Sequence, residues 1–135
     1  MRKIALAGAL ALLLTCPAPG HAATVGVVFQ ISTTKASSWK VAVRNIHNLE
    51  VAGTNGHHIE VVVLGPAIRI LLKDSPVARN LKALHASGVT IDACEAAIVR
   101  ARLKPGVILP FVHYVRSGVA EVVHRERQGW AYVRP

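Results

Sequence analysis

A parallel β-sheet covered by helices is the fold this sequence predicts, and three observations carry it. Five apolar runs of strand length recur between residues 25 and 133. The intervals between them carry apolar residues at helical spacing, and Gly, Pro or Asn stands at most junctions. Strands alternating with helices assemble as a sheet between helical layers, because a parallel neighbour is reached only by crossing back over the sheet.

Val25 to Ile31 is nearly continuous apolar sequence with one Gly, as expected of a strand buried on both faces. Trp39, Ala42, Val43, Ile46 and Leu49 then trace one helical face, with Lys40, Arg44, His47 and Asn48 off it. Ser37 and Ser38 are candidate caps, and Gly53-Thr54-Asn55-Gly56 is the stop. Ile59 to Leu64 reads as the second strand, closed by Gly65-Pro66. A short helix is expected over Ala67 to Lys73. Asp74 or Ser75 with Pro76 should start another, since proline suits the first turn. Val77, Leu81 and Leu84 form its inner face and Gly88 ends it. Val89 to Ala93 is the third strand; Cys94 follows it, then a helix over Glu95 to Leu103 that Pro105-Gly106 terminates. Phe111 to Val115 is the fourth strand. Ser117-Gly118 opens a last helix whose spacing puts Val119, Val122 and Val123 inward and Glu121, Arg125 and Gln128 outward. Gly129 closes it, and Trp130 to Val133 makes the fifth strand. Trp39 is expected in the core, and Trp130 and Tyr132 in packing or an oligomer contact.

The N-terminus reads as a signal peptide over residues 1–22. Met1-Arg2-Lys3 is positive, Ile4 to Leu14 is apolar, and Pro17 to Ala22 leads to cleavage near Ala22 or Ala23. The apolar run is shorter than the roughly 20 residues a bilayer span needs, and no later stretch is a better candidate. A lipoprotein would need a small residue before Cys16, where Thr15 stands. The expected product is one domain, residues 23–135, exported to the periplasm. Losing Arg2 and Lys3 lowers its net charge from +9 to +7. The remaining basic residues are scattered or near expected helix C-termini, where the macrodipole favours cations, and no aromatic stacking platform accompanies them. Nucleic acid is therefore not an expected partner.

Removing the leader also removes Cys16, which leaves Cys94 without a partner for an intramolecular disulfide. Dithiol chemistry within the chain is excluded. A lone thiol at a strand-to-helix junction, near unpaired helix N–H groups, is a candidate nucleophile; the competing reading is a small buried apolar residue. Glu95, next in sequence, would oppose a thiolate. In a parallel sheet, chemistry gathers beyond the strand C-termini, here Ser32-Thr33-Thr34, Gly65-Pro66, Cys94-Glu95 and Arg116-Ser117-Gly118. A hydrolase would need a histidine base, for which His113 and His85 are available. The histidines at 47, 57, 58, 85, 113 and 124 show no His-x-x-x-His spacing, so no metal site is expected. A glycine-rich phosphate loop and a Gly-x-Ser-x-Gly elbow are both missing, and no cofactor is expected.

The sequence resembles the DsrE/DsrF-like sulfur-relay proteins, in particular their short exported members. The resemblance runs from Val27-Val28-Phe29-Gln30-Ile31-Ser32 to Gly129-Trp130-Ala131-Tyr132-Val133-Arg134-Pro135. It includes Ser38-Trp39, Asn45-Ile46, Val61 to Pro66, Asp74 to Ala78, Gly88 to Cys94 and Ser117 to Glu121. It implies a three-layer α/β/α sandwich with a five-stranded, mostly parallel sheet, and homo-oligomers, either trimers or hexamers. It also implies a cysteine after the third strand that carries sulfane sulfur as a persulfide, the position Cys94 occupies. Glu95-Ala96-Ala97-Ile98 follows Cys94 where small polar residues are expected in these relatives. The expectation is a sulfurtransferase-like carrier acting through Cys94, its donor and acceptor unnamed. The alternative is a non-catalytic oligomeric binding module on the same fold.

Overall fold

The structure is a computed structural model that describes residues 25–104 and 106–135; the expected signal peptide, Cys16 and Pro105 lie outside the described residues. The elements are β1 (Val27–Ile31), α1 (Ala36–Val51), β2 (Ile59–Val63), a 3₁₀ segment (Gly65–Leu71), α2 (Ala78–Ala86), β3 (Thr90–Cys94), α3 (Glu95–Arg100), β4 (His113–Val115), α4 (Gly118–Arg127) and β5 (Ala131–Val133). A 3₁₀ turn at Gly56–His58 leads into β2.

The five strands form one sheet in the order β4-β3-β2-β1-β5, and every pairing is parallel. This order explains the layers. The chain steps from β1 to β4 in one direction, so right-handed crossovers stack α1, the 3₁₀ segment, α2 and α3 on one face. The return to β5 reverses the direction and carries α4 across the other face. The first face holds the large core, in which Phe29, Ile31, Val61, Val63 and Ile91 meet Trp39, Ile46, Ile68, Leu71, Leu81 and Leu84. The second face has a small apolar cluster of Val28, Val62 and Val122, with Leu64 and Trp130 packed against it.

Local chemistry shifted several boundaries. α1 starts at Ala36, so Ser37 and Ser38 lie within its first turn instead of capping it. Thr33 organises the entry: its hydroxyl accepts from Lys35 N–H at 3.3 Å and its carbonyl from Trp39 Nε1 at 2.7 Å. The expected helix at 67–73 is a 3₁₀ segment with Ala67, Ile68, Ile70 and Leu71 all buried. Pro76 precedes α2 without entering it, in a turn where Ser75 Oγ accepts from Val77 N–H at 3.4 Å. α3 stops at Arg100, well short of Pro105-Gly106, because Arg102 adopts φ +52°. The N–H groups of Arg102 and Leu103 then close on the carbonyls of Val99 and Ile98, the Schellman pattern with arginine where glycine is usual. β4 and β5 are three residues each, shorter than expected.

The largest correction concerns α4. Val122 is buried, but Val119 and Val123 are 59% and 38% exposed. Glu121 and Arg125 are partly buried and turned toward the sheet. The helix is rotated because the strands beneath carry carboxylates that a guanidinium can neutralise. Gly118 makes the close approach possible: a Cβ there would stand 3.0 Å from Leu64 Cβ, tighter than ordinary packing allows.

Candidate functional site

Cys94 is the last residue of β3, in register with Val115 of β4, and occupies the cap position of α3. Its side chain makes no capping hydrogen bond and is 7% exposed. It is the free cysteine among the described residues. The first N–H groups of α3 have no partner inside the helix, so the thiol stands beside backbone donors at the C-terminal margin of the sheet. Glu95 is exposed, where water and salt screen its charge. The opposition expected from this carboxylate is correspondingly reduced.

Alternation along β3 sends Ile91 and Ala93 into the large core and Thr90 and Asp92 toward the α4 side, while Cys94, at the strand end, joins the large core. At the strand end the two faces meet, with Leu64 packed against both apolar clusters and Cys94 in contact with the larger.

The α4 side also holds a buried acid pair. Glu60 on β2 is 1% exposed and Asp92 on β3 is 4% exposed. Glu60 is in register with Val28 and Thr90, and Asp92 with Val62 and His113. From α4, Arg125 brings Nε to 2.6 Å from Glu60 Oε2 and 3.1 Å from Glu121 Oε1. The Nε–H is not aligned for a hydrogen bond with either oxygen, so both contacts are ion pairs. The guanidinium lies over Trp130, 4.9 Å from the ring centre. Glu60 Oε1 is buried without a hydrogen-bond partner.

Burial raises the Glu60 pKa from 4.5 to about 8, helped by the Asp92 charge and the hydrogen bond to Asp92 and opposed by Arg125. Asp92 is also raised, first by burial, while the hydrogen bond from Glu60, His113 and Arg125 pull it down. Two carboxyl groups this close cannot both ionise cheaply. The hydrogen bond between them raises Glu60 and lowers Asp92, which favours the proton on Glu60.

Of the histidines considered for a base, His85 stacks on Phe111 at 4.7 Å between ring centres, whereas His113 is exposed on β4 beside Asp92. Among the described residues no group of three or more His, Cys, Asp or Glu is arranged to hold a metal. None of their helices is long and apolar enough to cross a membrane. A depression of about 440 Å³ opens at the C-terminal margin of the sheet, lined by Thr34, Gly65, Pro66, Arg69, Ala97, Arg100 and Ala101. A groove between α1 and α2, lined by His47, Glu50, Asn80 and Ser87 among others, includes no strand end.

Glu60, Asp92 and Arg125 were not singled out by sequence reasoning. The available signal was one acid inside each of two apolar strands, which is costly unless a partner is supplied.

Comparison with known proteins gave one family and several structures. The model of the DsrE/DsrF-like family matches residues 26–135. No curated protein matches the chain. A protein of unknown function from Methanobacterium thermoautotrophicum is 31% identical with a TM-score of 0.74, the match covering 81% of this chain and 97% of that one. A conserved protein of unknown function from Bacteroides thetaiotaomicron is 15% identical with a TM-score of 0.67, covering 82% and 95%. The ychN protein from E. coli is 12% identical with a TM-score of 0.64, covering 83% and 98%. The last two share the fold alone.

Proposed function

The chain belongs to the DsrE/DsrF-like family, and from that premise we propose that it is an exported sulfur carrier that holds sulfane sulfur as a persulfide on Cys94. The observation that carries this reading is the position of the thiol, at the C-terminal end of a central parallel strand and directly before a helix. A thiolate there attacks the terminal sulfur of a donor such as thiosulfate. The new S–S bond forms on Cys94, the donor S–S bond breaks, and sulfite leaves with the electron pair. Backbone N–H groups of the first turn of α3 favour the resulting anion. The arginines of the neighbouring depression, Arg69 and Arg100, suit an anionic donor. Signal cleavage delivers the domain to the periplasm. Apolar side chains at Tyr114, Val119, Val123 and Tyr132, each at least 38% exposed, supply a surface for homo-oligomers.

Cold cyanolysis after incubation with thiosulfate or polysulfide tests the central step, since cyanide removes sulfane sulfur as thiocyanate and regenerates the thiolate. The reading expects thiocyanate from the native protein and none from Cys94→Ser. Equal release from both proteins, or none from either, contradicts it.

The second reading, a non-catalytic oligomeric module, draws on the burial of Cys94. It expects slow alkylation of the folded protein by iodoacetamide at pH 7 and rapid alkylation only after unfolding.

A further inference from the structure

The depression at the C-terminal margin of the sheet carries two cations and no acid. Arg69 comes from the 3₁₀ segment and Arg100 from the end of α3, and no carboxylate lines the space they share. We infer that this depression binds a carboxylate-bearing organic persulfide, the donor that loads Cys94. The inference rests on the reading of Cys94 as a sulfur acceptor and names the class of its donor.

Charge carries the first part. Both guanidiniums are exposed, and among the described residues neither forms an ion pair. Two like charges lining one concave space repel each other, and an anion seated there removes that cost. Each guanidinium offers paired N–H donors at the spacing of carboxylate oxygens, so two arginines suit a ligand with two carboxylates. Thr34 adds a hydroxyl to the same lining.

Size and position carry the second part. A volume of about 440 Å³ is in the range that holds a small organic molecule and is far larger than an inorganic oxyanion needs. Pro66, Ala97 and Ala101 supply apolar lining for a carbon skeleton. Cys94, Ala97 and Ala101 follow one another at helical spacing, so the thiol stands about one turn, roughly 5 Å, from the depression on the same side of α3. Cys94 and Ala97 both pack in the large core. The thiol does not itself line the depression, so an inorganic anion held by the arginines stops short of it. An organic donor anchored through its carboxylates carries its sulfur across that turn. In the transfer the Cys94 thiolate attacks the terminal sulfur of the persulfide. The new S–S bond forms on Cys94, the donor S–S bond breaks, and the organic thiolate leaves with the electron pair.

Loading of one sulfur atom onto the folded protein, followed by intact mass, tests this with glutathione persulfide and its diethyl ester. The ester has a similar skeleton and lacks both carboxylate charges. The native protein should load about tenfold faster from the acid at about 0.05 M salt and lose most of that preference at about 0.5 M. Arg69→Gln combined with Arg100→Gln should abolish the preference, and the salt series makes the same test without a substitution. Equal loading from acid and ester overturns the inference, as does a preference that survives in the double variant or at high salt. Calorimetry with S-methylglutathione, which has no thiol to react, separates the two readings. Binding that needs both arginines, without sulfur loading, removes the sulfur-carrier function and keeps the site for carboxylated organic molecules. Sulfur loading without arginine-dependent binding does the reverse. Neither binding nor loading overturns both.

Discussion

Raising the pH from 5 to 9 should destabilise this protein through one buried carboxyl group. In the unfolded chain Glu60 gives up its proton near 4.5, and in the folded protein near 8. Between these values the folded state binds the extra proton, so stability falls as pH rises. Below 4.5 the side chain is protonated in both states and the full contribution is present. One pKa unit corresponds to about 1.4 kcal/mol, so the whole interval would amount to about 5 kcal/mol. The folded value already includes the attraction of Arg125, whose Nε lies 2.6 Å from Glu60 Oε2. Most of the interval falls between pH 5 and 9, so a loss of about 4 kcal/mol is expected there. Urea unfolding followed by tryptophan fluorescence measures it, since Trp39 is in the core and Trp130 lies over Arg125. Glu60→Gln cannot ionise and should flatten the dependence. A slope in Glu60→Gln equal to the native slope, or native stability that rises from pH 5 to 8, would refute the shared-proton account.

Three further substitutions probe neighbouring parts of the argument. Arg125→Met keeps much of the packing on Trp130 but leaves Glu60 without its cation, and should cost about 3 kcal/mol at pH 8 in urea unfolding, less at pH 5 where Glu60 is neutral. Arg102→Gly removes a side chain from a left-handed backbone position and should raise stability by about 1 kcal/mol, read as a higher urea midpoint with an unchanged slope. Gly118→Leu should destabilise by about 2 kcal/mol, because its Cβ meets Leu64 and Val62 and forces α4 off the sheet.

Much of the fold was legible because it rests on local periodicity. The five apolar runs, the helical face of Trp39, Ala42, Val43 and Ile46, and the junction at Cys94 all depend on residues close in the chain. The acid cluster depends on register. Glu60 and Asp92 stand 32 positions apart, and only the β2–β3 pairing makes them neighbours. Taken alone, each is a single acid in an apolar strand. The spacing of Val119, Val122 and Val123 defines an inner face of α4 that leaves Arg125 toward solvent. A two-carboxylate surface outweighs two valines, and this preference cannot be known before the sheet is assembled. The end of α3 was missed for a different reason: an arginine in a left-handed conformation carries no sequence signal comparable to glycine.

The sulfur-carrying role of Cys94 is the claim on which the functional account turns. Its most direct test is the intact mass of the folded protein after exposure to polysulfide and removal of excess reagent. The account predicts a species heavier by one sulfur atom, located by peptide mapping on Cys94, reversed by dithiothreitol and missing in Cys94→Ser. An unchanged mass, or an adduct that persists in Cys94→Ser, would contradict it.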